Sequence, residues 1–268
     1  MKKYFKVLAV AAVVVYGGIC ALLYTTQDAK IFPGQFIVFD KTPLPPSAEA
    51  LSLQVDPNVV LKGYRFYANA KDAPLVLYFG GNADRVEEFL IFAKGYRNYD
   101  IVALNYRGFS QSTGSPSEKN LFSDALKIYD KFVKNGDVIV VGRSLGSGVA
   151  SYVASKRAVN GVVLITPFDS IYALAKQKYP FLPVKLLLKH PFLNTKHLSR
   201  SNADLAIIEV ANDEVVPNTH TQNLIAQTQK PLYRSILEGV THGDILLHEN
   251  FAKELNRAIQ RILSENTK

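Results

Sequence analysis

The stretch "DVIVVGRSLGSGVASYVASK", Asp137 to Lys156, decides how this 268-residue chain is read. An apolar, β-branched run stops at Gly142, presents Arg143 and Ser144, and resumes as small residues at helical spacing. Gly142-Arg143-Ser144-Leu145-Gly146 matches the pattern G-x-S-x-G, in which a serine projects from a strained turn between a strand and a helix. Such a turn leaves no room for bulk two residues to either side, so glycine is favoured at both places. Leu145 opens the helix, and its N–H is expected to point at the space where an oxyanion forms. Gly148 and Ala150 are expected to let that helix lie close to the sheet.

Outward from this turn, one pattern recurs. Apolar strands are expected at "PLVLYF", "DIVALNY", "DVIVVG", "GVVLIT", "LAIIEVA" and "LYRSIL". Helical spacing fills the intervals: "DRVEEFLIFAKGY", "SEKNLFSDALKIYDKFVKN", "LGSGVASYVASKRA", "NTHTQNLIAQTQ" and "GDILLHENFAKELNRAIQRILSEN". Nearly continuous Val/Ile/Leu strands alternating with helices predict an α/β fold with a mostly parallel sheet covered on both faces. Ahead of it, "LSLQV" and "VVLKGYRFYAN" read as an antiparallel pair, and "QFIVFD" as a further short strand. One interval breaks the alternation: residues 168–204, rich in Pro, Tyr, Phe and Leu, are too long for an ordinary connection. They form either a small cap or pocket wall, or an excursion that only packs over the sheet.

A serine hydroxyl needs a base to act as a nucleophile. Of the histidines, His242 sits between the last strand and the terminal helix, a loop that reaches the carboxyl edge of the sheet. His248 is expected inside that helix, while His190, His197 and His220 read as packing or surface residues. The base needs an acid to hold its tautomer. Asp213 follows a strand in "LAIIEVANDEVVP" and is the candidate, with Glu214 as the fallback; Asp204 precedes its strand and lies at the wrong edge. The order Ser144, Asp213, His242 is one of the known orders of a Ser–His–Asp triad. A second oxyanion donor is expected from "FGGNAD" after the third strand, and the backbone amide of Asn82 is the choice.

The amino terminus carries a different signal. Lys2, Lys3 and Lys6 precede an uncharged run from Val7 to Tyr24. As a helix that run reaches roughly 27 Å, close to the roughly 30 Å of a bilayer's hydrocarbon core. Residues 1–27 are therefore expected to be an uncleaved signal anchor and 28–268 the catalytic domain. A cleaved signal peptide and secretion are the alternative. The lysines place the amino terminus in the cytoplasm and the domain on the other side.

Composition excludes much else. With 48% hydrophobic residues there is material for a large core. The net charge of +8 is carried by single Lys and Arg residues without a dense basic block, so no nucleic-acid partner is expected. Cys20 is the sole cysteine; no metal or organic cofactor is implied.

These motifs together resemble the α/β-hydrolase superfamily, and within it a membrane-anchored branch of serine hydrolases similar to monoglyceride-lipase-like and serine-aminopeptidase-like proteins. The residues that carry the resemblance are "YFGGNAD", "ALNYRGFSQSTGSPSE", "VVGRSLGSGVA", "LITPFDSI", "YPFLPVK", "ANDEVVP" and "THGD". The resemblance covers about Phe66 to the end. It implies an α/β-hydrolase fold and a triad at Ser144, Asp213 and His242. Many relatives carry His-Gly where this chain has Gly80-Gly81, and a glycine near Ala211. The expected activity is cleavage of a carboxylic ester, with thioester or lipid ester in the same class, on a small-molecule or lipid-like acyl substrate. A serine-aminopeptidase activity, or a catalytically silent binding protein of the same fold, is the alternative.

Overall fold

The protein is described by a computed structural model over residues 2–37, 44, 47–70, 72–92, 98–134 and 136–266. The elements run α1 (Lys2–Ile31), β1 (Ala48–Asp56), β2 (Val59–Phe66), β3 (Leu75–Phe79), α2 (Val86–Phe92), β4 (Asp100–Leu104), α3 (Glu118–Phe132) and β5 (Val138–Arg143). They continue through α4 (Leu145–Ala154), β6 (Gly161–Ile165), α5 (Ile171–Lys178), α6 (Val184–Leu187), α7 (Asn194–Leu198), β7 (Asp204–Val210), α8 (Asn218–Gln227), β8 (Tyr233–Leu237) and α9 (Phe251–Glu265).

The strands form one sheet in the order β1-β2-β4-β3-β5-β6-β7-β8. β1, β2 and β4 pair antiparallel, and every pair from β4 to β8 is parallel. The continuous apolar strands are buried on both faces, as a parallel sheet covered by helices requires. Val138 and Val140 of β5 pack with Leu121 of α3, Val149 of α4 and Leu224 of α8. Ile139 and Val141 of the same strand pack on the other side with Phe89 of α2 and Leu255 of α9. The junction of β5 and α4 thus falls at the carboxyl edge of a fully buried central strand.

Three local expectations change. The start of "QFIVFD" is not a strand: Pro33–Phe36 form a 3-10 turn, and Val38, Phe39 and Asp40 lie outside the described residues. Pro33 presets a helical φ there. Gly34 is wedged where a Cβ would meet the Phe109 ring at 2.4 Å. The terminal helix begins at Phe251, after a separate 3-10 turn at Ile245–Leu247, so His248 precedes the helix instead of lying in it. Gly148 faces away from the sheet: its missing Cβ makes room for Phe192 and Asn194 of the 168–204 segment.

That segment holds α5, α6 and α7 and is tied down on two sides. Asn194, fully buried, donates from Nδ2 to Ser147 Oγ of α4 at 3.0 Å and to the Phe168 carbonyl at 2.9 Å. Glu118, at the start of α3, accepts from the Phe192 N–H, while its own N–H donates to His190 Nδ1. With Nδ1 an acceptor, the ring proton of His190 sits on Nε2, which meets Asp28 of α1 at 3.0 Å. Burial lowers the His190 pKa and keeps the ring neutral.

Burial raises the Glu118 carboxyl to about 7. Between its ordinary range and that value, the native state binds a proton that the unfolded chain has released. Native stability therefore falls as pH rises through about 7. Glu118→Gln keeps an acceptor for Phe192 and cannot ionise. Its melting temperature is expected to match wild type at pH 5 and to exceed it at pH 8, with the difference opening across pH 5 to about 7.

Candidate active site

Ser144 occupies the turn between β5 and α4 with φ 48° and ψ −116°, a left-handed conformation that a non-glycine residue holds only under constraint. Its flanking glycines are required by space. A Cβ on Gly142 would lie 2.3 Å from the Gly146 carbonyl oxygen, and one on Gly146 would lie 2.1 Å from that of Phe79. The turn is thereby pressed against the end of β3, where the Gly80-Gly81-Asn82 loop begins.

His242 and Asp213 arrive from the loops after β8 and β7. His242 Nε2 lies 2.9 Å from Ser144 Oγ, and its Nδ1 lies 2.7 Å from Asp213 Oδ2. An ionised carboxylate only accepts, so Nδ1 carries the ring proton and Nε2 is free to accept from the serine. The Asp213 side chain is 3% exposed, and its Oδ1 accepts from the N–H groups of Val215 and Val216 at 2.9 and 2.6 Å. Those bonds hold the carboxylate from the side away from the imidazole's partner oxygen, Oδ2. Glu214, the fallback acid, does another job: both its carboxylate oxygens lie 3.2 Å from the His242 backbone N–H.

Asn82, Ser144 and Leu145 together line one cavity of about 570 Å³. As the first residue of α4, Leu145 has no intrahelical carbonyl for its N–H. The Asn82 peptide is held from behind, its carbonyl accepting from the Gly34 N–H at 3.0 Å. Gly80-Gly81 is braced by two hydrogen bonds. The Tyr106 hydroxyl donates to the Gly80 carbonyl, and the Gly81 N–H donates to Asp84 Oδ2 at 2.6 Å.

Arg143 joins the loop after β3 to the loop after β8. Its Nη1 pairs with Asp84 Oδ1 at 2.7 Å, and its Nη2 donates to the carbonyls of His242 and Gly243 at 2.9 and 2.7 Å. The signal was a lone charge in an apolar run: a buried guanidinium must be paired.

His190, His197 and His220 stand apart from the hydrogen-bonded Ser144, His242 and Asp213. His220 is buried against Asp169 and Gln177, and His190 is bound to Asp28. His197 packs edge-on against Phe122 and Tyr152, and burial lowers its pKa to about 4. Among the described residues no cluster of His, Cys, Asp and Glu has the arrangement of a metal site.

A family model described as alpha/beta hydrolase fold matches residues 74–193. Strand order, motif order and this match agree on the architecture: the chain has the α/β-hydrolase fold. An uncharacterized protein of Mycobacterium tuberculosis is 28% identical over 267 residues, covering 97% of this chain and 94% of its own length. An uncharacterized membrane protein of Saccharomyces cerevisiae is 29% identical over 219 residues, or 76% of each chain. Among solved structures, a bacterial membrane phospholipase A superposes with a TM-score of 0.62 at 17% identity, covering 98% of this chain and 99% of that one.

Removing Arg143 leaves the Asp84 carboxylate, 12% exposed, without its cation. Arg143→Ala is expected to destabilise the fold by about 3–5 kcal/mol. The double variant Arg143→Ala/Asp84→Ala should lose less than the sum of the two single changes. Thermal unfolding of the four proteins checks this cycle, and strict additivity would contradict the pairing.

Proposed function

We propose that this protein is a membrane-anchored serine hydrolase that cleaves carboxylic esters through an acyl-enzyme. The reading rests above all on one observation. The unbroken hydrogen-bonded chain Ser144–His242–Asp213 ends at the wall of an apolar cavity.

In this mechanism Ser144 Oγ attacks the ester carbonyl carbon while its proton passes to His242 Nε2. Asp213 holds the ring and stabilises the imidazolium. The backbone amides of Leu145 and Asn82 receive the oxyanion. Collapse of the tetrahedral species breaks the bond to the alcohol oxygen, which leaves with the proton from Nε2. A water then gives its proton to His242 and its oxygen to the acyl carbon. That second collapse releases the carboxylic acid and returns the proton to Ser144. The chemistry uses only the chain's own residues.

Membrane attachment is assigned to α1. It contains an apolar window of mean hydropathy 2.4, none of it buried against the rest of the chain. A helix that was part of a soluble core would be covered. Lys2, Lys3 and Lys6 favour an amino terminus in the cytoplasm and a catalytic domain on the extracytoplasmic side. An acyl ester suits the lining, in which Leu145, Phe168, Leu174 and Leu182 surround the serine. The phospholipase activity of the structural neighbour agrees with this class of substrate.

The decisive test compares wild type with Ser144→Ala, using a fluorophosphonate probe and p-nitrophenyl esters of increasing acyl length. Wild type is expected to label. The variant is expected to lose labelling and to lose turnover by more than about 10⁴-fold. A folded wild type that neither labels nor turns over any ester would overturn the reading.

A further inference from the structure

The cavity that ends at Ser144 is not made by the catalytic domain alone. One wall is α1: Leu23, Gln27 and Ile31 line it opposite Leu182 and Leu187 of the segment between β6 and β7. The contact face of α1 runs on toward its amino terminus. Tyr16, Cys20, Leu23, Gln27 and Ile31 recur at three- and four-residue intervals, the spacing of one helix face. Tyr16 donates its hydroxyl to the Phe181 carbonyl at 2.9 Å. Gln27, the buried residue of the helix, donates to the Leu187 carbonyl at 2.9 Å and accepts from the Lys189 N–H at 2.7 Å. Asp28 pairs with Lys189 and His190.

These bonds give the β6–β7 segment a depth. Tyr16 lies eight residues before Tyr24, where the apolar run ends. At 1.5 Å per residue that is roughly 12 Å. A bilayer that accommodates Val7–Tyr24 therefore also surrounds Phe181. The side chains there match such a setting, for Phe181 is 90% exposed and Leu186 81% exposed, a cost in water and a gain in hydrocarbon. The charge matches as well. Between Ser170 and Ala203 there are six basic residues and no acidic one, and Lys176, Lys178, Lys185 and Lys189 are all exposed. Lysines around an apolar tip suit a surface of anionic headgroups, with long side chains reaching back to the interface.

We infer that Tyr179–Leu188 is a second membrane-embedded element, and that the active-site cavity takes its substrate sideways from the leaflet, between this element and α1. The substrate class is accordingly a long-chain acyl ester resident in the bilayer, its chain lying between Leu23 and Leu187 and its carbonyl at Ser144. The substrate part of this inference rests on the serine hydrolase reading given above; the membrane part does not.

The chain contains no tryptophan, so Phe181→Trp supplies a single indole at the tip. In full-length protein reconstituted into phosphatidylcholine–phosphatidylglycerol vesicles, that indole is expected to be quenched by lipids brominated in mid-chain and shielded from aqueous iodide. Quenching by iodide alone would overturn the inference. A second experiment uses Phe181→Glu/Leu186→Glu, two exposed positions outside the cavity lining. Fluorophosphonate labelling and hydrolysis of soluble p-nitrophenyl butyrate are expected to stay within about twofold of wild type. Hydrolysis of vesicle-borne 4-methylumbelliferyl oleate is expected to fall about tenfold or more, because two carboxylates resist burial in hydrocarbon. Equal retention or equal loss on both substrates would overturn lateral access. Absence of labelling in wild type would instead overturn the hydrolase reading, and the indole quenching would still decide where the segment lies.

Discussion

The site depends on one buried cation. Arg143 ends a strand whose other residues are all buried, and its guanidinium cannot stay there unpaired. Asp84 and the carbonyls of His242 and Gly243 pair with its two terminal nitrogens, and these belong to the loops that carry Asn82 and His242. A guanidinium presents its donors in a rigid planar fork, so it fixes the directions of its partners as well as their distances. The strained backbone of Ser144, one residue on, is held between this fork and the Phe79 carbonyl pressing on Gly146. Breaking the fork frees both loops at once.

A second chain of contacts runs from the site toward the apolar helix α1. Gly34, just past α1, holds the Asn82 carbonyl; inside α1, Gln27 holds the backbone of Leu187 and Lys189, and Asp28 holds the side chains of Lys189 and His190. His190 and Glu118 carry that link to α3, and Phe192 and Asn194 carry it to α4. The apolar helix α1 is thus also a structural wall of the cavity that Ser144 lines. The same few hydrogen bonds link the apolar helix to the turn that carries Ser144.

Much of this was legible from residue patterns. The β5–α4 turn, the two-faced strands and the Ser144, Asp213, His242 series depend on local constraints: glycine where bulk is forbidden, β-branched runs where both faces are covered, an acid and a base in strand-end loops. The misreadings have a common origin. Pro33–Phe36 turned where strand composition suggested extension, because Gly34 is drawn against Phe109, 75 residues away. Gly148 looked like a sheet contact and serves Phe192. The 168–204 segment could be read as a wall or an excursion because its partner, α1, reads locally as a bare membrane span.

By itself, then, the sequence determined the alternation of strands and helices, the strained serine turn, the identity of the three residues hydrogen-bonded there and the apolar length of α1. Each follows from backbone sterics, periodicity or residue chemistry within a short window. Only the tertiary structure decided that Arg143 joins two loops, that Glu214 holds the His242 backbone, and that α1 and the β6–β7 segment close one cavity. Those facts are hydrogen bonds and contacts between residues about 100 or more positions apart in several cases, and no local pattern encodes which buried donor will meet which acceptor once the chain has packed.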